Sequence, residues 1–214
     1  MTRKLLGILI IAAICAGCST MYYNTMEKFG VHKRDIMVDR VKDAQKSQQE
    51  AKQEFKSALE QFSALVNVKG GDIQKVYDKL NAKYESCDSR AKDIHDRIAA
   101  VEDVSGALFK EWKTELGQYS NAELRRTSEQ ELKQSQAQYK ELIAAMKKAE
   151  SKIAPVLTAM HDEVLFLKHN LNARAIASLK DELASVEIKV GDLLKEMEDA
   201  INEADAFIKT MNQP

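Results

Sequence analysis

The side chains best suited to metal binding or nucleophilic chemistry are the four histidines and three cysteines of the chain. Two histidines that share a metal on one helix face stand three or four residues apart, whereas His161 and His169 are eight residues apart. At 100° per residue, that spacing places them about 80° off a common face. We therefore expect both histidines on the surface or in turns, and we expect no metal site and no cofactor.

The remaining candidates for chemistry are equally isolated. His32 and His95 have no companion His or Cys at ligand spacing. Cys87 lies between Tyr84 and Ala91 on a predicted apolar helix face, where a small buried side chain is expected rather than a reactive thiol. A catalytic triad is defined by the spatial arrangement of its side chains rather than by their order in the sequence. The narrow apolar helix faces predicted here offer no polar pocket that could hold one. An enzyme is therefore not expected.

The N-terminus carries the most specific motif. Arg3 and Lys4 precede an uncharged apolar run over residues 5–17, which has the length of a signal-peptide core and is short for a membrane span. The run ends in Cys15-Ala-Gly-Cys18, which is similar to the bacterial lipobox, where small residues precede a cysteine that receives a diacylglycerol. Cys15 stands where that motif usually has Leu. We predict a signal peptide over residues 1–17 and lipidation of Cys18; an uncleaved N-terminal helix anchor is the alternative.

The lipobox-like signal also predicts where the protein is located in the cell. Ser19 follows the lipidated cysteine, where Asp would indicate retention in the inner membrane, so we expect the periplasmic face of the outer membrane. Several acyl chains on Cys18 would hold the protein stably on the membrane, which is therefore an expected partner. Basic and acidic residues are nearly balanced, at 32 and 33, which argues against a nucleic-acid partner because such proteins show a basic stripe.

Composition predicts an all-α body. The chain has two Pro, eight Gly and 6% aromatic residues, which favours helix and thin bundles with narrow apolar seams over a thick core. Residues 18–33 are predicted to form a tether, and residues 34–214 an elongated helical bundle or coiled coil. The sequence contains no sustained alternation of polar and apolar residues, so no strand is predicted.

Heptad spacing predicts four long helices. In the first helix, the seam residues follow one another at steps of three and four, which keeps one face against a partner. Corresponding seams run from Ile73 to Trp112, from Ser128 to Ile153 and from Ile176 to Met211. The first seam consists of Met37, Val41, Ala44, Gln48, Ala51, Phe55, Ala58, Phe62 and Leu65.

Three short breaks separate these helices. Gly70-Gly71-Asp72 suits a helix end followed by an N-cap, and Gly117 with Ser120 and Glu123 suits a stop followed by a capping box. Residues 168–172 form the third predicted turn. Short connections favour antiparallel neighbours, so we expect four antiparallel helices, or three with a longer third helix kinked at Pro155.

The third turn is the preferred candidate for an interaction site. Apolar and polar side chains alternate closely there, and loops with exposed apolar residues can carry recognition. The other interpretation is a bundle end whose polar residues cap helices. The candidate residues are Phe166, Lys168, His169, Asn170, Asn172 and Arg174. Elsewhere, Arg125-Arg126 and Lys147-Lys148 have acidic neighbours and are expected on a solvated face.

Three segments carry a resemblance to a known family: residues 28–35 (KFGVHKRD), 108–112 (LFKEW) and 164–179. Through them the chain resembles an uncharacterised proteobacterial family of lipoprotein-like coiled-coil proteins, known only as a domain of unknown function. The resemblance covers nearly the whole chain after the predicted signal. It implies a helical architecture and an envelope location, and it supplies no activity or catalytic residue.

Two functions from different classes remain. The first is a lipid-anchored structural or adaptor protein of the cell envelope, which acts on an envelope protein partner and is compatible with homo-oligomerisation. The second is a periplasmic binding module for a lipid or another hydrophobic small molecule. The second predicts a sizeable apolar cavity between the helices, whereas close-packed heptads would leave none.

Overall fold

The computed structural model describes residues 22–23, 25–26, 30–66, 73–170 and 173–212. Within these ranges the side chains at 65–66, 73, 173–178 and 181 lie outside the description. Four helices contain most of the described chain: α1 (Lys33–Val66), α2 (Ile73–Glu115), α3 (Ala122–His169) and α4 (Ala173–Met211), with a 3-10 turn at Leu116–Gln118. The predicted all-α bundle of four helices is confirmed, and the described residues contain no strand.

Each helix packs on two neighbours, so the four form a closed ring. Helix α1 packs on α2 and α4, and α3 packs on the same two helices. Along α1 and α2, partners pair in inverse order: Lys33 bonds to Glu111, and Glu54 bonds to Lys83. The same inverse order holds for the other three neighbouring pairs of helices. Helices α2 and α3 are joined by Trp112–Ser128 and Tyr84–His161. Helices α3 and α4 are joined by Gln138–Thr210 and Lys148–Glu196, and helices α1 and α4 by Gln45–Asp205 and Lys52–Glu198. Neighbouring helices therefore run in opposite directions.

This arrangement gives the bundle two ends with different contents. The proximal end holds the start of α1, the end of α2, the start of α3 and the end of α4. The distal end holds the end of α1, the start of α2, the end of α3 and the start of α4. The helices have 34, 43, 48 and 39 residues, so the longest spans roughly 72 Å at 1.5 Å per residue.

The core follows the predicted seams closely. On α1, every seam residue with a described side chain is buried, from Met37 to Phe62. The heptad prediction missed a second column of buried side chains, because a helix with two neighbours needs an apolar face wider than one seam. That second column includes Val76, Val104, Phe109, Val156, Ala200 and Phe207.

The described helix boundaries agree with the sequence except at one cap, and the predicted break at Gly70-Gly71-Asp72 lies outside the described residues. The break near residue 170 is confirmed, since α3 ends at His169 and α4 begins at Ala173. The N-cap of α3 is Asn121 rather than the predicted Ser120: its side chain accepts from the N–H groups of Glu123 and Leu124, at 2.9 and 3.1 Å. Because the helix begins one residue later than the capping box required, Glu123 is too early to reach back to the cap.

One polar residue interrupts the core. Gln48 is fully buried, and neither its side-chain nitrogen nor its oxygen has a hydrogen-bond partner in the protein. A buried amide without a partner costs about 1–3 kcal/mol. Gln48 is therefore a local destabilising element in an otherwise apolar seam.

Candidate functional site

The candidate interaction site lies at the distal end, and we call residues 166–174 the tip. Leu167 is fully buried and anchors the last turn of α3, while Leu165 and Phe166 are 45% and 39% exposed. Lys168 and His169 are also exposed. The last turn of α3 thus presents two large apolar side chains and two basic or titratable side chains to solvent.

Asn170 performs the capping role that the competing interpretation predicted. Its backbone N–H donates to the carbonyl of Leu167 at 3.1 Å, and its side-chain amide donates to the carbonyl of Phe166 at 3.0 Å. Both bonds satisfy carbonyls that a helix end leaves without partners. Asn172 lies outside the described residues, and Arg174 lies in α4 with its side chain outside the description.

A groove that sequence reasoning missed lies beside the tip, between α3 and α4. It has a volume of about 480 Å³. Three carboxylates, Asp162, Glu163 and Glu182, line it together with a single cation, Lys189. The remaining lining residues are Ala159, Phe166, Ser185 and Val186. Only the register between α3 and α4 brings Glu163 and Glu182 together, so neither helix's own pattern could reveal the groove.

Glu163 is the most perturbed acid of the groove. Burial, together with the negative charges of Glu182 and Asp162, raises its pKa to about 7. A carboxyl group disfavours ionisation when it loses water and faces other carboxylates. Glu163 therefore changes charge near neutral pH.

An apolar cavity lies between all four helices on the inner side of Glu163. Its volume is about 20 Å³, and a cavity needs roughly 10–15 Å³ to hold one water molecule. Its lining comprises Ala58, Leu59, Phe62, Leu80, Met160, Glu163, Val164, Val186 and Val190. The space is far smaller than the cavity that a lipid-binding module would require.

Neighbouring side chains bury or pair with Cys87, His95 and His161, which sequence analysis considered as reactive or metal-binding residues. Cys87 is buried, and burial raises the pKa of its thiol to about 12, so it is protonated and unreactive at neutral pH. The ring of His161 contacts that of Tyr84 at a centroid distance of 5.3 Å, tilted by 48°. His95 pairs with Glu150 at 2.7 Å. Among the residues that the structure describes, no three His, Cys, Asp or Glu side chains come together as a metal site.

The basic pairs are distributed over solvated faces. Lys147 pairs with Glu102 on α2, and Lys148 pairs with Glu196 on α4 at 2.9 Å. Arg125 and Arg126 are exposed near the start of α3. These cations therefore do not form one basic surface.

The N-terminal segment contacts the bundle near its proximal end. Tyr23 is only 4% exposed, and its hydroxyl donates to a carboxylate oxygen of Asp103 at 2.7 Å. Tyr22 is 43% exposed and meets the ring of Tyr23 edge-on at 5.3 Å. Sequence reasoning placed both tyrosines in the tether and gave no signal of this contact. Cys18 lies outside the described residues.

Across the described ranges, none of the helices has both the length and the apolar composition needed to cross a bilayer.

Comparison with known proteins gives one match. Residues 22–211 match the model of a family described as "Protein of unknown function (DUF2959)". No curated protein and no solved structure matches the chain significantly.

Proposed function

We propose that this chain, which belongs to the DUF2959 family of proteins of unknown function, is a lipid-anchored structural or adaptor protein of the cell envelope. In this proposal, residues 1–17 are removed and Cys18 carries the lipid. Ser19 directs the protein to the periplasmic face of the outer membrane. The bundle then acts through protein–protein contacts, and catalysis has no part in the proposal.

The separation between the N-terminal contact and the tip carries this proposal. Tyr23 contacts Asp103 on α2, and α2 begins at Ile73 at the distal end. Those 30 residues of helix correspond to roughly 45 Å. A lipid near residue 18 and a partner at the tip would thus be held apart by a packed, rigid bundle, as an adaptor requires.

The small internal cavity favours this proposal over a lipid-binding module. A hydrophobic ligand of ordinary size needs a pocket of about 300–1,000 Å³, and the space between the four helices measures about 20 Å³. A binding module would therefore require the helices to separate and expose a core that is closely packed.

Lipidation is tested by replacing the proposed attachment residue. We expect Cys18→Ser to abolish palmitate labelling and to leave the uncleaved precursor. Cys87→Ser is the matched control, because it makes the same change outside the lipobox-like motif and should still be labelled and cleaved. Normal labelling and processing of Cys18→Ser would refute the anchor.

The adaptor role is tested by crosslinking at the tip in intact cells. A photocrosslinking residue at Phe166 should capture a defined envelope protein, and Lys168→Ala with Arg174→Ala should lose it. Exposed charges contribute little to folding but can direct encounter with a partner, so helicity and melting should stay nearly unchanged.

Lys113→Ala with Arg126→Ala is the charge-matched control, since both residues are exposed near the other end of the bundle. That control should keep the captured partner. Equal capture by both double variants would reject the tip as the adaptor surface. A large loss of melting temperature in the tip variant would show that these side chains serve packing instead.

A further inference from the structure

We propose that Tyr23 is a dock that holds the N-terminal segment on the bundle and thereby sets how far the bundle can stand from the bilayer. The partner of the docked face is the phospholipid surface in which the N-terminal lipid is inserted. This inference rests on the lipid attachment of the proposed function and adds to it a control of reach.

The contacts of Tyr23 are those of a folded residue rather than of a tether. Its ring is 4% exposed, which is comparable to the core of the bundle. Its hydroxyl donates to Asp103, a residue 80 positions away in the sequence, at 2.7 Å. A hydrogen bond to a charged acceptor is stronger than one between neutral groups. Burial and the Asp103 carboxylate both raise the pKa of the phenol, so Tyr23 stays protonated and can donate.

The residues that follow Tyr23 reinforce the dock. Met26 packs against the core cluster, and its carbonyl accepts from the N–H of Val31 at 3.1 Å. Gly30 between them has a φ of 79°, a conformation that glycine adopts without strain. The first residue of α1, Lys33, is 5% exposed and pairs with Glu111 at 2.8 Å. The chain between Tyr23 and α1 is thus secured at both ends on the same neighbour, α2.

Docking changes the number of residues between the proposed lipid and the first contact with the bundle. Cys18 precedes Tyr23 by five residues, so with Tyr23 docked the two can be at most about 18 Å apart. With Tyr23 released, the fixed point is Lys33, 15 residues after Cys18, and the maximum distance rises to about 54 Å. The docked state therefore keeps the region of α2 around Asp103 close to the bilayer, whereas release lets the whole bundle move away and reorient.

The consequence is a bundle whose orientation is restricted only while Tyr23 is docked. Chain length between an anchor and a binding surface determines the volume that the surface explores and its effective concentration at a partner. With Tyr23 docked, the short segment after Cys18 keeps the proximal end at the membrane and limits the positions that the tip can reach. With Tyr23 released, the tip can reach partners at a greater distance from the bilayer.

The test uses the lipidated chain in phospholipid vesicles that carry an acceptor dye on their headgroups. A single donor dye is attached at Lys42→Cys, an exposed position on α1. Cys87 does not compete for the label, because it is buried and its thiol pKa is raised to about 12. The wild-type background should show strong energy transfer to the bilayer, and Tyr23→Ala should show less, because the released bundle explores greater distances from the bilayer.

Two further variants separate the hydrogen bond from the packing. Tyr23→Phe keeps the ring and removes the donor to Asp103, so it should lose part of the energy transfer. Tyr22→Ala removes the neighbouring exposed ring and should keep the wild-type value. Equal transfer for Tyr23→Ala and wild type on vesicle-bound protein would overturn the proposal.

A protease experiment separates failure of the dock from failure of the anchor. In detergent, trypsin should cleave Tyr23→Ala between residues 22 and 33 faster than it cleaves wild type or Tyr22→Ala. Unchanged cleavage would overturn the dock, whatever the vesicles show. Faster cleavage of Tyr23→Ala, together with a wild-type chain that carries no lipid, would support the dock and overturn the control of reach together with the proposed anchor.

Discussion

The indole N–H of Trp112 donates to the hydroxyl of Ser128 at 2.8 Å. This bond joins the last turns of α2 to the first turns of α3, and Ser128 is 8% exposed. The hydroxyl of Tyr119, in the connection between the two helices, lies 3.5 Å from the same oxygen. A small polar side chain on the seam thus serves as the meeting point of α2, the connection and α3.

We expect Ser128→Ala to destabilise the bundle by about 1–2 kcal/mol, because the partly buried indole N–H loses its acceptor. Urea unfolding followed by circular dichroism measures the change. Thr127→Ala is the matched control, since Thr127 is exposed on the neighbouring position and should change stability little. A neutral Ser128→Ala would mean that water replaces the hydroxyl as the acceptor.

Gln48→Leu should stabilise the bundle. The substitution removes an amide that has no partner and replaces it with an apolar side chain of similar size, so we expect a gain of about 1 kcal/mol or more. Thermal melting measures the gain, and Gln49→Leu is the control because Gln49 is exposed. A lower melting temperature, or a change of oligomeric state, would instead indicate that Gln48 specifies the register of the helices.

Ile98→Asp should unfold or strongly destabilise the body, by about 3 kcal/mol or more, because an unpaired charge would enter the core. Ile98 is 2% exposed, and the same reasoning applies to the fully buried Phe55 for Phe55→Asp. Ala99→Asp and Lys56→Asp are the controls on the exposed neighbouring positions. Similar melting of the core and control variants would contradict the seam assignment.

Stability should fall as the pH rises from about 4.5 to about 7, because the pKa of Glu163 is raised from 4.5 to about 7 by burial and by neighbouring carboxylates. The folded state binds the proton more tightly than the unfolded state, so its contribution is complete below pH 4.5 and is lost through pH 7. The loss should be about 1–3 kcal/mol.

Glu163→Gln should remove this pH dependence and be more stable than wild type at pH 8, as unfolding at pH 5 and pH 8 would measure. Glu187→Gln is the control, because Glu187 is exposed on the same helix as Glu182. An unchanged pH profile in Glu163→Gln would show that another group causes it.

Local sequence determined the helices and most of their buried faces. Heptad spacing from Met37 to Phe62 predicted the core of α1, since side-chain periodicity depends only on the 3.6-residue turn of the helix. The break at Asn170 was also predictable, because capping residues act on the backbone next to them. The same local logic misplaced the cap at Ser120, where a shift of one residue moved the role to Asn121.

Only the tertiary structure decided the contacts that carry the proposals. The bond from Tyr23 to Asp103 joins residues 80 positions apart, and the facing carboxylates of Glu163 and Glu182 lie on different helices. The buried Gln48 amide has no hydrogen-bond partner, which its own seam could not reveal. Such relationships depend on which helices are adjacent and on their mutual register. A repeating apolar seam is compatible with several choices of neighbour and with several registers.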